Sequence, residues 1–138
     1  MIDSADVFLD TSVLLYAALG SNDTPAHFEK ARSIILEENF AVSASVLSEF
    51  YEVATVRGEK PLCRQSASEW IEKLALKPCR SLDVNLVKEG TALADEFDTS
   101  LRNALVILSA RRLGCVKIYS ERMAGVSVPD IEIINPFK

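Results

Sequence analysis

The chain has 138 residues, of which 49% are hydrophobic and 25% are charged, and its formal net charge is −5. A chain of this size can bury one contiguous core without disulfides or a structural metal, so we expect a single domain over residues 1–138. The negative charge excludes a protein that coats nucleic acid through bulk electrostatics, because such binding depends on lysines and arginines that neutralise phosphates. Any contact with RNA must therefore be local.

The sequence indicates a cytoplasmic protein. The segment 1–6 carries two aspartates where a secretory signal would be basic, and no apolar run is long enough to span a membrane. Cys63, Cys79 and Cys115 are odd in number and form no CxxC pair. This pattern predicts reduced, mostly buried thiols, and neither disulfides nor a zinc site.

Strands and helices alternate in the first half of the chain. The hydrophobic pattern predicts, in chain order, a strand at 7–9, a helix at 13–19, a helix at 25–39, a strand at 40–44 and a helix at 46–58. Asp10, Thr11 and Ser12 suit a helix N-terminus, Gly20 is placed to end the first helix, and Ser45 can cap the third.

The second half continues the alternation. It predicts helices at 64–76, 84–97 and 100–113, and strands at 115–120 and 131–134. Such a pattern favours an α/β fold with a mainly parallel sheet covered by helices. Because the functional crevice of a parallel sheet lies beyond the carboxyl ends of its strands, the candidate segments are 10–12, 45–49 and 120–122.

These segments carry a resemblance to a known family. The residues that carry it are Phe8 to Ser12, Ser43 to Glu49, Asn103 to Leu105, Gly114 and Cys115, Ser120 to Met123, and Ile134 to Phe137. In this order and spacing the chain resembles a bacterial PIN domain of the VapC type over nearly its whole length. The resemblance implies a three-layer domain with four to five strands, and an acidic pocket that holds Mg²⁺ or Mn²⁺ and cuts RNA.

The resemblance also implies where the site residues lie. The family's four acidic positions correspond to Asp10, Glu49, Asn103 and Arg122, so two match the pattern and two depart from it. Asp10, Glu49 and Asn103 are the candidate metal ligands and catalytic residues, and Glu121 is a candidate catalytic residue that could replace a missing ligand. The candidate substrate-binding residues are Thr11, Ser12, Ser120 and Arg122.

The two substitutions leave two mechanisms open. Hard divalent cations prefer anionic oxygen ligands, and a cation ~5 Å from such an ion would repel it by about 7 kcal/mol at an effective dielectric near 20. Either Asp10, Glu49 and the Asn103 amide still bind the metal weakly, or Arg122 pairs with an acid and replaces the ion. In the first case the Arg122 head would turn outward, where it could meet an RNA phosphate.

Two functions follow as hypotheses. The first is a VapC-like, metal-dependent endoribonuclease, weakened or not, that forms a homodimer and pairs with a small antitoxin whose tail fills the pocket. The second is a catalytically inactive PIN-fold module that binds an antitoxin, RNA or its dimer partner. A phosphoacceptor receiver domain fits poorly, because no acidic pair follows the first strand. The basic residues Arg102, Arg111, Arg112 and Lys117 are interpreted as a solvated face, with contact to RNA as the alternative.

Overall fold

The computed structural model describes residues 5–123 and 125–138. Its elements in chain order are β1 (Val7–Leu9), α1 (Thr11–Asp23), α2 (Pro25–Glu37), β2 (Phe40–Ser43), α3 (Ala44–Ala54), α4 (Arg64–Leu74), β3 (Cys79–Arg80), α5 (Val84–Phe97), α6 (Leu101–Arg112), β4 (Lys117–Tyr119) and β5 (Glu132–Ile134). No helix within the described residues is both long enough and apolar enough to cross a membrane.

The five strands form one parallel sheet in the order β3-β2-β1-β4-β5. The chain moves outward from β1 to β2 and β3, and then crosses to the other side of β1 to add β4 and β5. Strand order therefore reverses between β1 and β4, which is where open α/β sheets place their functional crevice. The predicted three-layer α/β fold with a mainly parallel sheet is confirmed.

The centre of the sheet is buried on both faces. All three residues of β1 are buried, and Phe8, Leu9 and Ile118 have no exposed surface. A continuous apolar strand is typical of a parallel sheet covered by helices, and each fully buried side chain of this size contributes roughly 1.5–3 kcal/mol. Helix α1 packs against α2 and α3, whereas α6 packs against α5 and contacts β2 and β4. These contacts fix the ends of β1 and β4 relative to α3 and α6.

Helix α1 does not end at Gly20 as the sequence pattern predicted. It continues to Asp23, and α2 begins after a single residue, Thr24. A Cβ at position 20 would lie 3.1 Å from Thr24 Oγ1 and 3.3 Å from Phe28 Cβ. Glycine therefore serves here to let two helices approach closely, and it does not terminate the first.

Three further local features differ from what the sequence pattern predicted. The side chain that caps α3 is Ser43, whose hydroxyl accepts from the Val46 N–H at 3.2 Å, and not Ser45. Strand β3 was not predicted, because it has only two residues and pairs only with β2. Of the three cysteines, which are free thiols, only Cys115 is buried, whereas Cys63 is exposed.

Candidate functional site

Asp10 lies directly after β1, at the point where strand order reverses. Its side chain is fully buried and caps α1, with Oδ1 accepting from the Thr11 N–H at 2.7 Å. Oδ2 accepts from the Ser120 hydroxyl at 2.6 Å, and Ser120 follows β4 on the neighbouring strand. The helix N-terminus and this hydroxyl both stabilise a negative charge, so Asp10 is at once a helix cap and the centre of the polar cluster.

Glu49 reaches the same point from α3. Its Oε1 accepts from the Thr11 hydroxyl at 2.6 Å, which links the helix after β2 to the helix after β1. Burial alone raises the pKa of Glu49, but hydrogen bonds from Arg102, Thr11 and Arg122 outweigh burial and lower this pKa to about 2. Glu49 is therefore a carboxylate at neutral pH.

Arg102 is the residue of the site that sequence reasoning missed. Ser100 caps α6 by accepting from the Asn103 N–H at 3.0 Å, and Arg102 therefore lies in the first turn of that helix. Its guanidinium lies between the two acids: Nη2 donates to Asp10 Oδ1, and Nε and Nη2 donate to Glu49 Oε1 at 3.1 and 2.9 Å. The interpretation of Arg102 as part of a solvated face was wrong.

Two other basic residues of that predicted face, Arg111 and Arg112 of α6, are paired with acids. Arg111 forms two hydrogen bonds with Asp130, at 2.8 and 2.9 Å, and Arg112 pairs with Glu89 on α5. Burial lowers the pKa of Arg102, but hydrogen bonds from its guanidinium to Glu49 and Asp10 raise it overall. Arg102 is thus a permanently charged partner of the two acids.

The two substituted positions also lie at this edge. Arg122 Nη2 donates to Glu49 Oε2 at 2.8 Å, and its side chain is 45% exposed. The Asn103 amide nitrogen donates to the Thr99 hydroxyl at 3.0 Å, while its oxygen lies 3.4 Å from Arg102 Nη1. The side chains at 10, 49, 103 and 122 therefore share one hydrogen-bonded cluster, and Arg102 connects three of them.

Glu121 points away from this cluster. Both of its carboxylate oxygens accept from the Tyr16 hydroxyl, at 2.8 and 2.9 Å, and its backbone N–H donates to the Ser12 hydroxyl at 3.1 Å. Burial and the bond to Glu121 raise the pKa of Tyr16 to about 12, so the phenol remains a donor at neutral pH. In this conformation Glu121 supplies no oxygen to the space between Asp10 and Glu49.

The cluster does not fit a divalent cation as it stands. Every carboxylate oxygen of Asp10 and Glu49 already accepts a hydrogen bond, and the amide oxygen of Asn103 faces Arg102. Two carboxylates face two guanidiniums, so the local charge is zero where a metal site would be anionic. Within 5–123 and 125–138, no group of three or more His, Cys, Asp or Glu side chains is arranged to hold a metal ion.

The fold and the position of this cluster define an α/β protein with a polar site at the switch point of a parallel sheet. The family model for the PIN domain matches residues 7–123, a range that includes every residue of the cluster. The chain therefore belongs to the PIN domain family, and the resemblance noted in the sequence is confirmed. No curated protein matches the chain significantly.

Solved structures share the same fold at low sequence identity. VapC20 of Mycobacterium tuberculosis, a sarcin–ricin-loop-cleaving toxin, matches with a TM-score of 0.70 and 15% identity over 92% of this chain and 99% of that one. A toxin–antitoxin complex from Klebsiella pneumoniae matches with a TM-score of 0.66 and 15% identity, over 95% and 98% of the two chains. VapBC2 of Rickettsia felis, bound to a promoter DNA fragment, matches with a TM-score of 0.62 and 12% identity, over 93% and 96%.

Proposed function

We propose that this chain is a PIN-fold binding module of the toxin–antitoxin type, whose acidic site is neutralised by its own arginines and does not cleave RNA through a divalent ion. The observation that carries this proposal is the Arg102 guanidinium between Asp10 and Glu49. A fixed cation ~5 Å from a divalent ion would oppose its binding by about 7 kcal/mol at an effective dielectric near 20. Arg122, on the far side of Glu49, adds to that opposition.

The proposed partner is a segment of a small antitoxin protein. A groove of about 280 Å³ lies beside the cluster, with apolar walls that include Leu15, Leu19 and Val53. Arg57 and Arg122 lie at its polar edge together with acidic side chains. An apolar floor with a mixed polar rim suits a peptide segment better than a nucleic-acid strand, because RNA binding draws its affinity from cationic surfaces. Dimerisation of the module is part of the same proposal.

A second candidate function is a metal-dependent endoribonuclease whose substrate would be structured or single-stranded RNA. Family membership favours it, together with the position of Asp10 and Glu49 at the carboxyl edge of the sheet. Asp10, Glu49 and Asn103 would have to hold Mg²⁺ or Mn²⁺, and both arginines would first have to leave their carboxylates. Glu121 would also have to exchange its Tyr16 partner for the site before it could act there.

Calorimetric titration with Mn²⁺ and an RNA cleavage assay separate the two functions. We expect the natural chain neither to bind Mn²⁺ measurably nor to cleave RNA. The triple variant Arg102→Ala, Asn103→Asp, Arg122→Asp removes both cations and adds two acids, so it should bind Mn²⁺. The matched control is Arg111→Ala, which removes an arginine of the same helix that pairs elsewhere and should leave the chain without affinity for Mn²⁺.

Cleavage by the natural chain that requires Mn²⁺ and disappears in Asp10→Asn would reject the binding module and establish the enzyme. If the triple variant folds and still binds no Mn²⁺, the arginines are not what excludes the ion, and the proposed cause is wrong. Circular dichroism of each variant checks that the fold is retained before either result is interpreted.

A further inference from the structure

A second concave surface lies away from the acidic cluster, at the beginning of β2. It has a volume of about 460 Å³, larger than the groove beside the cluster. We name it the Trp70 cleft and define it by Ile35, Phe40, Trp70, Leu74, Lys73 and Lys77. Because Phe40 is the first residue of β2, the cleft lies at the opposite end of that strand from the site that Glu49 reaches.

The walls of the Trp70 cleft are apolar and well anchored. Phe40 and Leu74 are buried core residues. Trp70 lines the cleft and also packs against the core, where its ring centroid lies 5.9 Å from that of Phe50. A concave, mostly apolar surface with a few polar groups is the usual form of a small-molecule site, and its volume lies in the usual range of such sites. The cleft therefore offers a fixed surface for an apolar ligand body.

The mouth of the cleft carries cations that have no anionic partner. Lys77 Nζ stands 5.0 Å from the centroid of the Phe40 ring, at the edge of the apolar wall. The cleft is also lined by one carboxylate, that of Glu69, yet neither Lys73 nor Lys77 forms an ion pair within the described part of the chain. The two ammonium groups outnumber the Glu69 carboxylate beside the apolar wall, so the cleft complements a ligand that is anionic at one end.

We propose that the Trp70 cleft binds a small organic anion in which an aromatic or aliphatic body is joined to a carboxylate. The body lies against Trp70 and Ile35, and the carboxylate meets Lys73 and Lys77. This proposal is independent of the function proposed for the acidic cluster, since the two sites share no residue.

The chain provides its own reporter for this site. Trp70 is the only tryptophan, so its fluorescence reports binding in this cleft and not in the groove beside the acidic cluster. The probe is phenylacetate. Two control ligands accompany it: phenylacetamide, which lacks the charge, and acetate, which lacks the apolar body. We expect phenylacetate to change the emission saturably with a Kd on the order of 1 mM, the affinity expected of a ligand of this size. The amide should bind about fivefold more weakly, and acetate should give no saturable change.

Lysine variants test the proposed recognition of charge. Lys73→Gln and Lys77→Gln should each weaken phenylacetate binding about threefold to fivefold, as expected for one exposed ionic contact. The matched control Lys88→Gln removes an exposed lysine of α5, outside the cleft, and should bind as the natural chain does. Equal affinity for phenylacetate and phenylacetamide, or unchanged affinity in both lysine variants, would overturn the proposal. It would also be overturned if Trp70 emission changed with protein concentration alone, because a second copy would then cover the cleft.

Discussion

The acidic cluster and the Trp70 cleft differ in whether their charged side chains form ion pairs within the chain. In the cluster, two carboxylates and two guanidiniums satisfy one another, and each carboxylate oxygen accepts at least one hydrogen bond. In the cleft, the lysines at the mouth find no carboxylate among the residues that the structure describes. The difference teaches that a site placed where a fold usually holds a ligand can be satisfied within the chain, while charged side chains without an ion-pair partner stand elsewhere on the surface.

The largest effect that would sharpen this comparison comes from removing Asp10. Asp10→Ala leaves the Ser120 hydroxyl without its buried acceptor, and it leaves Glu49 as the one carboxylate that faces both Arg102 and Arg122. Because an unpaired buried hydroxyl and a cation that loses one of its two carboxylate partners are both costly, we expect the free energy of unfolding to fall by about 3 kcal/mol, as measured by urea denaturation. The matched control is Asp130→Ala, which breaks a largely exposed pair with Arg111 and should cost less than about 1 kcal/mol.

A double variant separates the lost charge pair from other effects of Asp10→Ala. Adding Arg102→Met removes the cation that lost its Asp10 partner and should restore part of the lost stability, since deleting both partners of a buried pair is much milder than deleting one. If the double variant were less stable than Asp10→Ala alone, Arg102 would stabilise the fold through contacts other than its pairing with Asp10.

A smaller effect concerns the pH dependence of stability through Glu49. Its pKa is lowered from an ordinary value of 4.5 to about 2 in the folded chain. A lowered folded pKa means that this contribution to stability is fully present above pH 4.5 and is lost as the pH falls toward 2. After a discount for partial exposure to solvent, we expect the contribution to be on the order of 1–2 kcal/mol.

Glu49→Gln tests this assignment. The variant should be less stable than the natural chain at pH 7, and the difference should shrink as the pH approaches 2, as followed by urea denaturation at each pH. The control is Glu96→Gln, an exposed residue of α5 that forms no ion pair in the described part of the chain. A constant difference between Glu49→Gln and the natural chain from pH 7 to pH 2 would mean that the three hydrogen-bond donors do not hold the pKa of Glu49 down.

Most of the fold could be predicted from the sequence, because its signals are local. The apolar run before Asp10 and the alternation of strand and helix indicate a parallel sheet without tertiary information. The extent of α1 and the existence of β3 could not be predicted, since they depend on contacts between elements. In a local sequence pattern Gly20 predicts the end of a helix, yet in the fold it lets α2 pack closely against α1. The two residues of β3 form a strand through their pairing with β2.

The sequence predicted that the four family positions lie together, but it did not predict Arg102 or how the side chains are paired. Strand ends and family spacing placed Asp10, Glu49, Asn103 and Arg122 at one edge, and these side chains do share one cluster. Arg102 was missed because the direction of a side chain in the first turn of α6 depends on how that helix packs. A signal was nevertheless present: two acids without their usual acidic neighbours need a cation, and Arg102 directly precedes the substituted position Asn103.

The smallest expected effect lies in the Trp70 cleft. Lys77→Gln removes a cation over the Phe40 ring and should change the free energy of unfolding by only about 0.5–1 kcal/mol, and Lys73→Gln by less than about 0.5 kcal/mol. Lys88→Gln, outside the cleft, provides the baseline for removing one exposed lysine, and all three are measured by urea denaturation followed by Trp70 emission. A loss above about 2 kcal/mol in either cleft variant would place it in the class of buried, indispensable contacts. The lysines would then be structural, as Arg102 is in the cluster, and the contrast between the two regions would fail.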